Sequence, residues 1–184
     1  MATSGESAKM TKLPVRNRSL SHLDPRGRAR MVDVGEKPET RRRATASAEV
    51  TIGTRAARAI REETTPKGNV FEVARLAGIA AAKRTGELIP LCHNLPLDHI
   101  DLEIALRGKR VRIRAEASAF ARTGVEMEAM TAVAVAALTV YDMLKAVDKG
   151  IVLGPILLLE KSGGKSGEYR RPTRSRTVSA ADAP

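Results

Sequence analysis

The sequence predicts a two-layer α+β fold with helices on one face of a mainly antiparallel sheet. Three observations predict it. Residues 100–119 read as a hairpin: Ile100 to Leu106 alternates apolar and acidic residues, Arg107-Gly108-Lys109 makes a tight turn, and Arg110 to Ala119 alternates again. Gly124 to Gly150 reads as one helix of about seven turns, rich in Ala, Met and Leu and without charge from Ala129 to Tyr141. The order of elements is strand, helix, helix, hairpin, long helix, strand. It packs most simply as a ferredoxin-like sandwich.

Length and charge bound the function. At 184 residues the chain fits one domain with tails: a basic, disordered segment at 1–30, a body at 31–168, and a basic, disordered tail at 169–184. Residues 1–30 carry net +5 and residues 169–184 net +3, which leaves only +3 of the total +11 for the body. The body has two Phe, so the aromatic platform of single-strand nucleic-acid binders is missing and nucleic acid is an unlikely partner. Aromatics are 2% of the chain, and the core must be built of Ala, Val, Ile, Leu and Met. Cys92 is the one cysteine, which excludes an internal disulfide and a cysteine-based zinc cluster. The uncharged stretch of the long helix is too short to cross a bilayer, and no apolar signal core opens the chain. The expectation is a cytoplasmic protein with no membrane partner.

In chain order, Arg30 to Lys37 reads as a short extended piece, and Arg41-Arg42-Arg43 as a solvated basic face. Ala44 to Ile52 reads as a modest strand. Thr54 is a candidate cap for a helix to about Glu63. Thr64 to Asn69 has loop chemistry, and Asn69 can cap a second helix over residues 70–85, where Val70, Val73, Ala74, Ala77, Ala80 and Ala81 recur at helical spacing. Lys67 precedes that helix start, where backbone N–H groups also favour anions. Prolines punctuate Glu87 to Pro96, an apolar loop that must pack against something and that carries Cys92 and His93 at its centre. Ile151 to Leu159 reads as a strand with a bulge or an edge position at Gly154-Pro155. Gly164-Lys165-Ser166 has the end of a P-loop pattern, but Leu159 stands where its first glycine belongs and no helix follows.

The long helix carries the chemistry. Glu126 and Glu128 open it, suiting the positive end of the helix dipole, whereas Asp142 lies near the negative end, where a carboxylate is disfavoured. Lys145 is three residues on and can pair with Asp142, as an ordinary surface ion pair or as part of a site. Glu128 and Asp142 are separated by about 21 Å of helix at 1.5 Å per residue, so one copy cannot bring both to a small substrate. If both act, a site at a subunit interface is the simplest arrangement.

Several stretches then identify a resemblance: GNVFEVARLAGIAAAKRT, LIPLCHNL, TGVEMEAMTA, YDMLKAVDKG and KSGGKSG, with MVDVGEK at the start. Over about residues 20–168, in order and near the usual spacing, the chain resembles the cyclic pyranopterin monophosphate synthases, the molybdenum cofactor biosynthesis protein C family. The resemblance implies conversion of (8S)-3′,8-cyclo-7,8-dihydroguanosine 5′-triphosphate to cyclic pyranopterin monophosphate and diphosphate. It implies a homohexamer, a trimer of dimers, with sites near dimer interfaces. It also implies site residues. Asp142 is the acid–base residue and Lys145 its partner. Lys67 and Lys161 are site lysines. Leu91, Cys92, His93, Glu126, Met127 and Glu128 bind the substrate, Glu126 and Glu128 being the acids of VEMEA, and His93 and Glu128 also belong to the catalytic set with Asp142, Lys145, Lys67 and Lys161. No metal ligand set and no cofactor is implied, although Mg²⁺ could accompany the triphosphate.

The chemistry suits those residue types. Rebuilding a purine-derived ring as a pterin needs repeated proton transfers, which a carboxylate paired with a lysine can serve. Closing a cyclic phosphate concentrates anionic charge that lysines from separate loops would stabilise. Two departures stand out. Arg122 occupies a position where the family pattern has Lys, and Asn94 follows His93 where Pro is common. Two other readings compete: a family member that binds nucleotide without turnover, and nucleic-acid binding through the basic tails.

Overall fold

The computed structural model describes residues 23–24 and 26–172. Two compact units divide the chain at Val32 and Asp33. In the first, a bridge between Leu23 and Ala29 closes a turn in which Asp24 accepts from the backbone of Arg26 and Arg28 at 2.8 and 2.9 Å. The rest of the basic tail expected at 1–30 lies outside the described residues.

The second unit contains β1 (Thr40–Thr51), α1 (Thr54–Arg61), α2 (Val70–Ala82), α3 (Thr85–Leu88), β2 (His99–Arg107), β3 (Arg110–Ala121), α4 (Glu126–Leu144), β4 (Val152–Ser162) and β5 (Tyr169–Arg170). The strands form one sheet in the order β2-β3-β1-β4-β5, and every pairing is antiparallel. The first four strands and the helices between them make the expected α+β, ferredoxin-like sandwich.

Alternation in β1 and β3 explains the packing. Ala44, Ala46, Ala48 and Val50 on β1, and Ala115, Ala117 and Ala119 on β3, are buried on one face. Alanines leave room for a helix backbone to approach, and α4 fills it with Ala129, Ala132, Val133, Ala136 and Val140, all fully buried. By length and composition α4 would also pass for a membrane span. Here the sheet and α2 cover one side of it, and Leu138 stays exposed on the other. The α2–α4 crossing is close because of Gly78, where a Cβ would press on Leu102 and stand 2.9 Å from the Ala132 carbonyl oxygen. At the hairpin, Gly108 takes the left-handed φ of 61° that the two-residue turn needs at its first position.

Several boundaries differ from expectation. The first strand starts at Thr40 and is the sheet's central strand, so the Arg41–Arg43 triplet is not a solvated face. Arg41 and Arg43 point out and Arg42 points in, buried. Thr54 caps nothing: the N-cap of α1 is Gly53, which has no side chain to offer. Asn69 does cap α2, its Oδ1 accepting from Phe71 and Glu72 N–H at 3.0 and 3.1 Å. α2 stops at Ala82, and a separate short helix, α3, follows. α4 spans 19 residues rather than the full stretch to Gly150, because the chain turns after Leu144, whose carbonyl accepts from Val147 and Asp148. β4 runs on through Lys161 to Ser162, with one register shift at Gly154-Pro155 and a second at Leu159. Tyr169 and Arg170, expected in a disordered tail, pair with Lys161 and Glu160, because the Gly163–Gly167 turn folds the chain back on itself. Residues 173–184 of that tail lie outside the described residues.

Candidate active site

Candidate residues gather at the two ends of α4. At its C-terminal end Asp142 stands between two lysines. Its Oδ1 is 2.7 Å from Lys145 Nζ, one turn on along the helix, and its Oδ2 is 2.6 Å from Lys67 Nζ. Lys67 also donates to the Asp142 carbonyl at 3.1 Å, which offsets the unfavourable helix-end position of the carboxylate. Lys67 reaches there because its loop is tied down on both sides. The Thr65 hydroxyl bonds to the Gly68 carbonyl, Gly68 takes a φ of 86°, and Asn69 starts α2. The Lys145 hydrogen bond first, and the Lys67 one next, hold the Asp142 carboxyl down at about 2. Asp142 in turn pushes Lys145 up. All three groups are about half exposed, so this is an open triad.

The N-terminal end of α4 is more enclosed. Lys161, on the inward side of β4, donates to Glu126 Oε1 at 2.7 Å and lies 3.3 Å from the Ser166 hydroxyl. Glu128 is 3% exposed, and its Oε2 has no hydrogen-bond partner among the described residues. Burial, with a smaller contribution from the Glu126 charge, raises the Glu128 carboxyl to about 7. Glu128 lines a cavity of about 300 Å³ with Thr85, Gly86, Asn94, Leu95 and Pro96. Its charge also adds to burial in pushing the Cys92 thiol up, which places Cys92 in the same electrostatic neighbourhood. Leu91, Cys92 and His93 are half-buried in the loop after α3, and Met127 is exposed. Asn94, one of the departures from the family pattern, folds its side chain against Gly86.

Thus the structure brings Lys67, Asp142 and Lys145 together, and separately Glu126, Lys161, Glu128 and the Cys92 loop. It does not bring the two groups together within one chain. Sixteen residues of helix, about 24 Å, separate Glu126 from Asp142.

Arg42 sits in a basic triplet that reads in the sequence as a solvated face, yet it belongs to the frame of this site. Its guanidinium is buried, donating from Nε to the Ala121 carbonyl at 3.2 Å and from Nη2 to the Arg122 carbonyl at 3.4 Å. Gly163 and Gly164, with φ of 99° and 71°, lie against Arg41 and Arg42 so closely that neither could carry a Cβ. Arg42 is therefore the seat of the glycine turn that follows Lys161. Strand alternation was the available signal, since Arg42 shares the parity of Ala44, Ala46 and Ala48. Arg122, the second departure from the pattern, spreads its fork between the Gly35 carbonyl at 3.0 Å and Glu39 at 3.5 Å, a pair of contacts that a lysine's single ammonium is poorly shaped to make.

A family model described as the MoaC family matches residues 31–164. The chain is 56% identical over 154 residues to a cyclic pyranopterin monophosphate synthase of Thermomicrobium roseum, an alignment covering 83% of this chain and 93% of that one. It is 50% identical over 152 residues to the enzyme of the same name from Peptoclostridium acidaminophilum, covering 83% and 97%. It is 56% identical over 154 residues to cyclic pyranopterin monophosphate synthase 1 of Mycobacterium tuberculosis, covering 83% and 91%.

Proposed function

The chain belongs to the MoaC family, and on that footing we infer that it acts as a cyclic pyranopterin monophosphate synthase, a phosphorus–oxygen lyase of molybdenum cofactor biosynthesis. It rearranges (8S)-3′,8-cyclo-7,8-dihydroguanosine 5′-triphosphate and releases diphosphate. The observation that carries the reading at the level of residues is the Lys67–Asp142–Lys145 triad, which joins three of the expected site residues from two segments 75 positions apart.

The two carboxyls suit different proton tasks. Glu128, raised to about 7, is available as a proton donor near neutral pH. Asp142, held at about 2, is an ionised acceptor whose basicity is suppressed by its lysines. Substrate phosphates that draw Lys67 or Lys145 away would raise Asp142 toward the ordinary carboxylate range and make it a better base. Cyclisation then proceeds by attack of a sugar oxygen on the first phosphorus, with the P–O bond to diphosphate breaking. Lys67 and Lys161 are placed to stabilise the charge that builds on the phosphoryl oxygens. Leu91, Cys92, His93, Glu126 and Met127 shape the binding side of the site. Among the described residues no group of three His, Cys, Asp or Glu could hold a metal, and in this reading any Mg²⁺ arrives with the triphosphate.

The site is completed between copies, in a homohexamer built as a trimer of dimers. Separation of the two groups along α4 supports this, as do exposed apolar residues on the helix layer: Val73 and Leu76 on α2 and Leu138 on α4. A twofold pairing that runs two α4 helices antiparallel would set the Glu126 end of one beside the Asp142 end of the other.

The test is turnover of the cyclic dihydroguanosine triphosphate, followed by diphosphate release and by pterin fluorescence after oxidation. Product from the wild type and a loss of about 10²–10⁴-fold in Asp142→Asn is expected. No product from folded wild-type protein would overturn the assignment.

A further inference from the structure

One well-placed carboxylate stands outside the triad. Asp148 lies in the turn between α4 and β4, and its N–H and that of Val147 donate to the Leu144 carbonyl at 3.0 and 2.8 Å. Its Oδ1 accepts from Gly150 N–H at 2.9 Å. Its Oδ2 accepts from Gly53 N–H at 2.6 Å, across 95 residues of chain.

Gly53 is the N-cap of α1 and cannot cap the helix itself. Asp148 instead accepts from the N–H of the N-cap residue itself and brings a carboxylate to the positive end of the α1 dipole. The fit is close, since a Cβ on Gly53 would stand 2.9 Å from Asp148 Oδ2. From α1 the chain passes through Thr64, bonded to the Ala59 carbonyl at 3.0 Å, and through Glu63 in a left-handed conformation with φ of 54°, into the loop bearing Lys67. Arg61 fastens the far end of α1 to the Gly108 carbonyl at 2.9 Å. The segment that delivers Lys67 is therefore tied at its root to the turn that ends the helix bearing Asp142 and Lys145.

We propose that Asp148 is a positioning residue for the Lys67–Asp142–Lys145 triad: by clamping the first residue of α1 to the turn after α4, it sets both sources of the triad in one frame. This deepens the functional reading and rests on it. Displacement of a reacting or charge-stabilising group by about 1 Å can cost as much as 10²-fold in rate, so a clamp remote from substrate has a measurable effect.

The experiment compares Asp148→Ala, Asp148→Asn, Lys67→Ala and the Asp148→Ala/Lys67→Ala double variant, with kcat, KM and melting temperature recorded for each. Asp148→Ala should lose about 10- to 100-fold, chiefly in kcat. Asp148→Asn keeps one acceptor for Gly53 N–H and should recover most of that loss. The double variant should be no slower than Lys67→Ala alone, because the clamp acts through Lys67. A lowered melting temperature with normal kcat, or losses that multiply in the double variant, would overturn the proposal. Gly53→Ala crowds the same contact from the other side and carries the test should Asp148→Ala fail to fold: normal kcat there counts against the clamp. Lys67→Ala that turns over like wild type would instead sink the site reading on which the clamp depends.

Discussion

Glu128 and Asp142 lie on the same face-forming helix yet are pushed in opposite directions, Glu128 up to about 7 by burial and Asp142 down to about 2 by Lys145 and Lys67. One helix thus presents a carboxyl that holds its proton near neutrality and another that does not. Separated titrations of this kind are how one fold carries both acid and base roles.

The raised Glu128 has a stability consequence. Its folded-state value lies above its ordinary value of 4.5, so the folded state binds the proton more tightly than the unfolded chain. That stabilisation is complete below about 4.5 and is lost as pH rises through about 7, by roughly 3 kcal/mol in total. Denaturant unfolding across pH 4–8 should show the decline in wild type and a flatter profile in Glu128→Gln. An unchanged slope in the variant would mean that Glu128 does not bind the proton as described.

The triad makes a ranked prediction. Lys145→Ala should raise the Asp142 titration further than Lys67→Ala, because the Lys145 hydrogen bond is the larger influence. Carboxyl carbon resonances followed from pH 1 to 6 measure it directly. Asp142 is depressed, so its contribution to stability is present above the ordinary carboxylate range and lost as pH falls through about 2. It is small because the group is half exposed.

Complementation tests the division of the site between copies. Asp142→Asn and Lys161→Ala disable opposite ends of α4. Mixed and reassembled, they should regain activity, to about a quarter of wild type if pairs form at random and each mixed pair holds one intact site. Activity that never exceeds the sum of the separate variants would place a complete site within one chain.

Gly78→Ala should destabilise the fold by about 1–3 kcal/mol through overpacking, since its Cβ would meet Leu102 and the Ala132 carbonyl. Thermal melting measures the loss. Wild-type stability in the variant would show that α2 and α4 can separate without cost.

The layers, the hairpin, the Asn69 cap and the Asp142–Lys145 pair are legible in the sequence, because each depends on local periodicity, turn chemistry or one turn of helix. The sequence motifs also determined the family. The rest depends on contacts between distant segments, which no local pattern carries. Arg42 looked like surface until β1 proved to be the central strand, with β3 on one side and β4 on the other. Lys67 has in the sequence only its place ahead of a helix start, and it becomes the second partner of Asp142 because its loop folds onto the end of α4. Glu128 read as a helix-opening acid, and its raised titration follows from packing that covers its carboxyl and leaves Oε2 unpaired. Gly53 and Asp148 carry no mutual signal 95 positions apart, and their hydrogen bond forms only once the intervening helices α1 to α4 and the β2–β3 hairpin have folded.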